Sequence, residues 1–289
     1  MRQNSEIKVS VIMGVYNQWN KDELYAAVYS ILEQSLKSFE FIIYDDGSNS
    51  ELARTIKELE EIDKRITVIR KEENHGLAFS LNTCIRIARG KYIARMDADD
   101  VSVKNRLEVQ YNFLENHPEY SWCGCNAELF DENGIWGIRQ MPEKPVKEDY
   151  LKYSPYIHPS VMYRSQLFEK EDAYLVSNDT LRCEDYEIFM RLRNHGYYGY
   201  NIQSCLFRYR EDRHSFQKRK FCYRISEAKI RYRNFKDMGI LFPIGWLYCL
   251  RPIVGGVLPV DWIRYLKRKE SAFKRPDTGG TAIGERTSA

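Results

Sequence analysis

Four short apolar runs punctuate the first hundred positions, at residues 9–15, 41–44, 66–69 and 92–96. Each has the length and flanking residues of a buried strand. Between them the apolar positions recur at helical spacing, over residues 23–33, 52–62 and 77–88, and Gly90 stands where the third helix should end. Ser48 and Glu51 have the spacing of a capping box ahead of the second helix. Alternation of strand and helix is the βαβ pattern, so the expected fold is α/β, with a largely parallel sheet and helices on its faces. Ligands in such sheets gather beyond the carboxyl ends of the strands. The sequence turns polar at those ends: "YNQ" after the first run, "DDGS" after the second, "KEENHG" after the third and "DADD" after the fourth.

The chain from about residue 101 to 210 is less regular, with a helical pattern over 103–118, a turn at "DENG", then "HPSVMYR" and "CEDYEIFMRLRNHG". From about residue 216 the sequence becomes basic and helical and leads into an apolar stretch, 239–260, broken by Pro243, Arg251, Pro252 and Pro259. That stretch is close to membrane-spanning length but interrupted. The following "DWIRYLKRK" mixes aromatic and apolar residues with Arg264, Lys267, Arg268 and Lys269. Two readings stay open for this region: a segment lying in the membrane interface, or a helical subdomain packed on the core or on a partner. The small, polar residues 276–289 are expected to be disordered.

Composition narrows the classes. A chain of 289 residues with 43% hydrophobic and 13% aromatic residues can bury a large core. Its 44 basic and 41 acidic residues leave only +3, which argues against a nucleic-acid binder. The seven cysteines include one close pair, Cys123 and Cys125, and no zinc-type spacing, so reduced thiols in a cytoplasmic protein are expected. The apolar run near the N-terminus is too short for a secretory signal.

The chemistry concentrates in "GKYIARMDADD". Strand residues two apart face alike, so Asp97 and Asp99 would aim two hard oxygen ligands into one cleft, a donor set suited to Mg2+ or Mn2+ beside an anionic substrate. Asp100 reads as a helix-starting carboxylate. Alone, the motif reads first as a solvated turn capping the following helix, and the metal reading depends on the motifs around it.

The motifs "VSVIMGVYN", "FEFIIYDDGS", "NHGLAFSLN", "GKYIARMDADD", "HPSVMYR" and "CEDYEIFMRL", in this order and spacing, resemble the inverting family 2 glycosyltransferases, especially the bacterial branch that assembles capsule, exopolysaccharide or O-antigen units. The resemblance covers about residues 8–215. It implies the GT-A fold, a Rossmann-like mixed sheet flanked by helices, with a catalytic domain over 1–215. In that domain 1–100 would bind nucleotide and 101–215 acceptor; beyond the resemblance, a helical extension over 216–275 would lie in the membrane interface or pack on the core.

The resemblance also assigns roles. Asp46 would read the nucleobase, generally uracil, with Tyr16 packing on it and Asn74 contacting the nucleotide or serving its turn beside Gly76. Gly14 stands where the family often has Pro, a change that would loosen the nucleotide pocket. Asp97 would lie on the ribose side and Asp99 on the metal. Asp185 would be the catalytic base with Glu184 beside it, or the reverse. Arg210 would clamp the diphosphate, His214 would complete the metal shell, and His158 would line the acceptor side or brace Pro159. The implied partners are a nucleotide-sugar donor, UDP-linked, a divalent cation, a glycan or lipid-linked acceptor and the inner face of the cell membrane. A metal-dependent nucleotidyltransferase and a non-catalytic nucleotide- or glycan-binding subunit are the alternatives.

Overall fold

The computed structural model describes residues 7–18, 20–211 and 221–257. The four expected strands form as β1 (Val9–Val15), β2 (Phe39–Asp46), β3 (Ile66–Lys71) and β4 (Tyr92–Arg95). They pair in parallel in the order β3-β2-β1-β4. The helices between them are α1 (Lys21–Leu32), α2 (Ser50–Ile62) and α3 (Leu77–Ile87). Beyond these come β5 (Val101–Ser102), α4 (Arg106–Asn116), β6 (Trp122–Asp131), β7 (Gly134–Arg139) and β8 (Met162–Arg164). Then follow α5 (Leu167–Lys170), α6 (Glu184–Asn194) and β9 (Gly199–Arg210). The sheet continues from β4 as β8-β6-β9-β5, with β7 hairpinned on β6. It becomes mixed at β8, which runs antiparallel to both β4 and β6.

Period-two alternation sorts the strand residues onto two faces. Val9, Val11 and Met13 pack with Leu24, Val28 and Ile31 of α1 and with Leu52, Ile56 and Leu59 of α2. Ile12, Ile42 and Ile93 face the other way, onto Leu81 and Cys84 of α3 and Ile188, Phe189 and Leu192 of α6. All seven cysteines are free thiols.

Two local readings change. The cap of α2 is Asn49, whose Oδ1 accepts from Leu52 N (3.0 Å), because Ser48 Oγ is already engaged by Asn17 N (3.1 Å) and Glu51 pairs with Lys21. Gly90 does not close α3, which ends at an extended Ala88. It lies against β1, where its N–H donates to Ser10 Oγ (2.8 Å).

The extension continues as α7 (Phe221–Asp237) and α8 (Trp246–Val257). It packs on the core: Ile230 and Phe235 join the α6 face, Arg231 Nη1 donates to Leu151 O (2.8 Å), and Asn194 bonds to Asn234. Residues 258–289, with the rest of the expected extension and the tail, lie outside the described residues. Among the described residues no helix is long and apolar enough to cross a membrane.

Candidate active site

The loops after β1, β2 and β3 are bonded into one surface. Asn17, in the left-handed region, accepts from Asn49 N (3.0 Å) through its side chain. Asp45 takes Ser48 N and pairs with Arg70 of β3 (2.6 Å). Asp46, 2% exposed, receives His75 N (2.9 Å), Gly76 N (2.7 Å) and Asn74 Nδ2 (2.8 Å). Gly47 has φ +78°, and a Cβ there would stand 2.8 Å from Glu72 O, so only glycine lets the second and third loops touch.

Three of the roughly four lone-pair directions of the Asp46 carboxylate are therefore spent on the third loop. Asn74 Nδ2 is occupied in that contact. Replacing Asp46 with Asn sets an NH2 group against backbone N–H donors. Loss of such buried bonds typically costs about 1–3 kcal/mol, so D46N is expected to lower the melting temperature. A calorimetric scan checks this; unchanged stability would contradict the loop-holding role. Tyr16 is 53% exposed, so its ring face is not spent on core packing. Gly14 answers a packing demand: a Cβ there would meet Leu77 Cδ1 at 3.0 Å and Ser80 Cβ at 3.1 Å, so glycine lets α3 close on β1.

At the end of β4 the acid turn is held from behind. Arg106, fully buried, donates from Nη1 to Arg95 O (3.2 Å) and Pro159 O (3.1 Å) and lies over the Phe207 ring. Burial lowers its guanidinium to about 10. Gln110 Nε2 donates to Ser160 O (2.7 Å) and Cys123 O (3.2 Å). Carboxylate oxygens of Asp97, Asp99 and Asp100 lie within 4.8 Å of one another. Asp100 starts no helix, since β5 follows it and α4 begins only at Arg106. It is 1% exposed, its Oδ1 accepts from Arg210 N (2.7 Å), and its Oδ2 has no hydrogen-bond partner. Burial, then the charges of Asp99 and Asp97, push its carboxyl well above the ordinary range. An all-oxygen triplet with an orphaned buried oxygen fits a hard divalent cation.

Arg95, the last residue of β4, is the feature the sequence did not disclose. Its guanidinium is 1% exposed and pairs with Asp97. Burial alone would depress it, but Asp97 outweighs that and raises it. Its charge also bears on His158 and Glu184. His158 is buried with Nε2 hydrogen-bonded to the Tyr174 hydroxyl (2.7 Å); burial, then Arg95, hold it neutral, so it braces the wall of the site.

Glu184 and Asp185 open α6, whose Tyr186, Ile188, Phe189 and Met190 anchor it in the core. Burial, then the neighbouring Asp185 charge, raise the Glu184 carboxyl to about 7. Arg210 reaches the same end of the sheet, its Nε on Asp99 O (3.0 Å) and its Nη1 near Glu23 Oε1 (3.3 Å). Its charge thus stands beside the acid turn, tied to the protein. His214 lies outside the described residues.

Residues 10–173 match the family model described as glycosyl transferase family 2. The glycosyltransferase EpsE of Bacillus subtilis is 36% identical over 269 residues, covering 92% of this chain and 95% of that relative. The UDP-Glc:alpha-D-GlcNAc-diphosphoundecaprenol beta-1,3-glucosyltransferase WfaP of Escherichia coli is 27% identical over 232 residues, covering 80% and 87%. Other relatives are named for amylovoran biosynthesis in Erwinia amylovora and O-antigen biosynthesis in Escherichia coli. Among solved structures, S. aureus TarS residues 1–349 with UDP-GlcNAc superposes with TM-score 0.62 at 15% identity, over 86% of this chain and 71% of that one. The mannosyltransferase PcManGT of Pyrobaculum calidifontis, with GDP-Man and Mn2+, gives 0.59 at 16% identity, over 92% and 81%. At these identities the structural likeness establishes the fold, which is GT-A.

Proposed function

The chain belongs to the family 2 glycosyltransferases, with relatives in bacterial surface polysaccharide synthesis, and we propose that it is a metal-dependent, inverting enzyme acting at the inner face of the cell membrane. The donor is a nucleotide sugar, UDP-linked, and the acceptor a glycan or a sugar on a lipid diphosphate. Sugar nucleotides bound by the structural neighbours and the activity for which WfaP is named support these substrates. The observation that carries the reading is the convergence of three carboxylates at the carboxyl edge of the parallel strands.

Asp99 and Asp100 would hold Mn2+ or Mg2+, with Asp97 oriented toward the ribose by Arg95. When bound, such a cation supplies Lewis-acid neutralisation of the donor diphosphate. Tyr16 and the Asp46 loop receive the base. Asp185 takes the proton of the acceptor hydroxyl, which attacks the anomeric carbon from the face opposite the diphosphate. Glu184 orients the sugars. No nucleophilic side chain is required, because the configuration inverts in one displacement. Incubation with UDP-sugars and Mn2+ tests the assignment: release of UDP with a product of inverted anomeric configuration supports it, and retention at that carbon contradicts it.

The raised Glu184 carboxyl favours a second reading, in which Glu184 is the base, since a general base works best with a pKa near the operating pH. If Glu184 is the base it must shed its proton, so on this second reading activity is expected to fall as pH drops below about 7. The stability sign is opposite. A carboxyl raised from 4.5 to about 7 in the folded state favours folding of the protonated form, and that advantage is lost as pH rises through about 7. Glu184→Gln is therefore expected to raise the melting temperature at about pH 8, by up to about 3 kcal/mol of stability, and to change it little near pH 4. Thermal scans at the two pH values check this; equal shifts at both would contradict burial of the charge.

A further inference from the structure

The helix α8 has two apolar sides, and among the described residues one of them is covered and the other stands exposed. Cys249 and Pro252 face the protein, whereas Leu247, Leu250 and Val254, at i, i+3 and i+7, form an outward stripe with Trp246 beside it. Phe242 and Ile244, in the approach to the helix, continue the stripe. These six side chains are between 44% and 74% exposed. An apolar patch of this kind on an otherwise soluble surface marks a contact with something else.

Charge indicates what that is. Exposed Arg251 borders the stripe and is fixed there by donation from Nη1 to Lys152 O (2.6 Å), which sets the exposed Lys152 beside it. The chain leaves α8 into residues 258–269, where the sequence carries four basic residues against one acid, interleaved with Trp262 and Tyr265. Apolar and aromatic side chains with a cationic rim match the boundary of an anionic bilayer. A symmetric pairing of two copies through this stripe would instead bring two copies of the cationic Arg251 and Lys152 into one interface.

We propose that the outward face of α8, with Phe242 and Ile244, is a docking surface for anionic phospholipid, on which α8 lies in the plane of the membrane. The inference rests on the peripheral location proposed above and not on the transfer chemistry. Its consequence for the reaction is geometric. α7 packs on α8 and is bonded to α6 through Asn194 and Asn234, so the docked face is tied to the helix that presents Glu184 and Asp185. An acceptor carried on lipid would then meet those carboxylates from a fixed side.

The test is co-sedimentation of the full chain with phosphatidylcholine vesicles, with and without phosphatidylglycerol. Wild type and Leu247→Glu/Leu250→Glu/Val254→Glu are compared, alongside a milder Leu247→Ser/Val254→Ser variant. UDP binding in Mn2+ is measured on each protein. The expected result is sedimentation with the anionic vesicles, weakened by salt and lowered roughly tenfold or more in the Glu variant, less in the Ser variant, with UDP binding unchanged. Three outcomes overturn the proposal: wild type remaining in the supernatant, both variants sedimenting like wild type, or a wild-type dimer in analytical ultracentrifugation that the Ser variant dissociates. Loss of UDP binding in wild type would bear on the transfer reading alone.

Discussion

Asp99→Asn is expected to lower sugar transfer about a thousandfold while leaving the fold in place. Asp99 is partly exposed at the sheet edge, and its backbone carbonyl, which the substitution preserves, is what receives Arg210. The change removes one charged oxygen from the triplet and little from the core. Asp97→Asn should behave differently. It leaves the Arg95 guanidinium buried without its counter-charge, a loss that typically costs about 3–5 kcal/mol, so stability and activity fall together. Initial rates of UDP release, read beside thermal unfolding of the same preparations, separate the two. An Asp99→Asn enzyme within threefold or so of wild type would be incompatible with the role assigned to that carboxylate.

Asp185→Asn is expected to cost about a hundred- to ten-thousandfold in kcat, the range over which a positioned base contributes, with little change in KM for the donor. The substitution keeps the size of the side chain at the first turn of α6, whose anchoring residues lie on its buried face. Glu184→Gln measured alongside decides between the two readings of the pair. If Asp185 is the base, Glu184→Gln retains the larger share of the rate and moves the acid limb of the pH profile. If Glu184 is the base, the order reverses. Rates for both variants within about tenfold of wild type would remove the pair from the proton transfer altogether.

Much of this site was legible because its first half is local. The four parallel strands announce themselves as apolar runs, and the polar loops after them must lie at one edge once the strands are parallel. What escaped was set by distant parts of the chain. Asp100 looked like a helix start because its burial depends on Arg210, which arrives on β9 and donates to it across 110 positions. Arg95 looked like an ordinary strand residue because its neighbours, the His158 turn and the head of α6, are assembled only when β8 joins β4. Asn49 replaced Ser48 as the cap because Ser48 is claimed by Asn17 on another loop. Near-neutral net charge concealed the local contrast between an acid turn and the cations fixed around it, Arg95, Arg106 and Arg210. The extension left two readings open in the sequence, and they coexist in the fold: one side of it packs on α6 while α8 keeps an outward apolar face.

On the function proposed above, the aspartate edge gathers a divalent ion with the diphosphate of a nucleotide sugar. Electron paramagnetic resonance of free Mn2+, titrated with protein in the presence and absence of UDP, measures this directly. UDP and Mn2+ are expected to tighten one another's binding, and Asp99→Asn to abolish the coupling while the protein stays folded. Equal Mn2+ uptake by wild type and Asp99→Asn, indifferent to UDP, would contradict it.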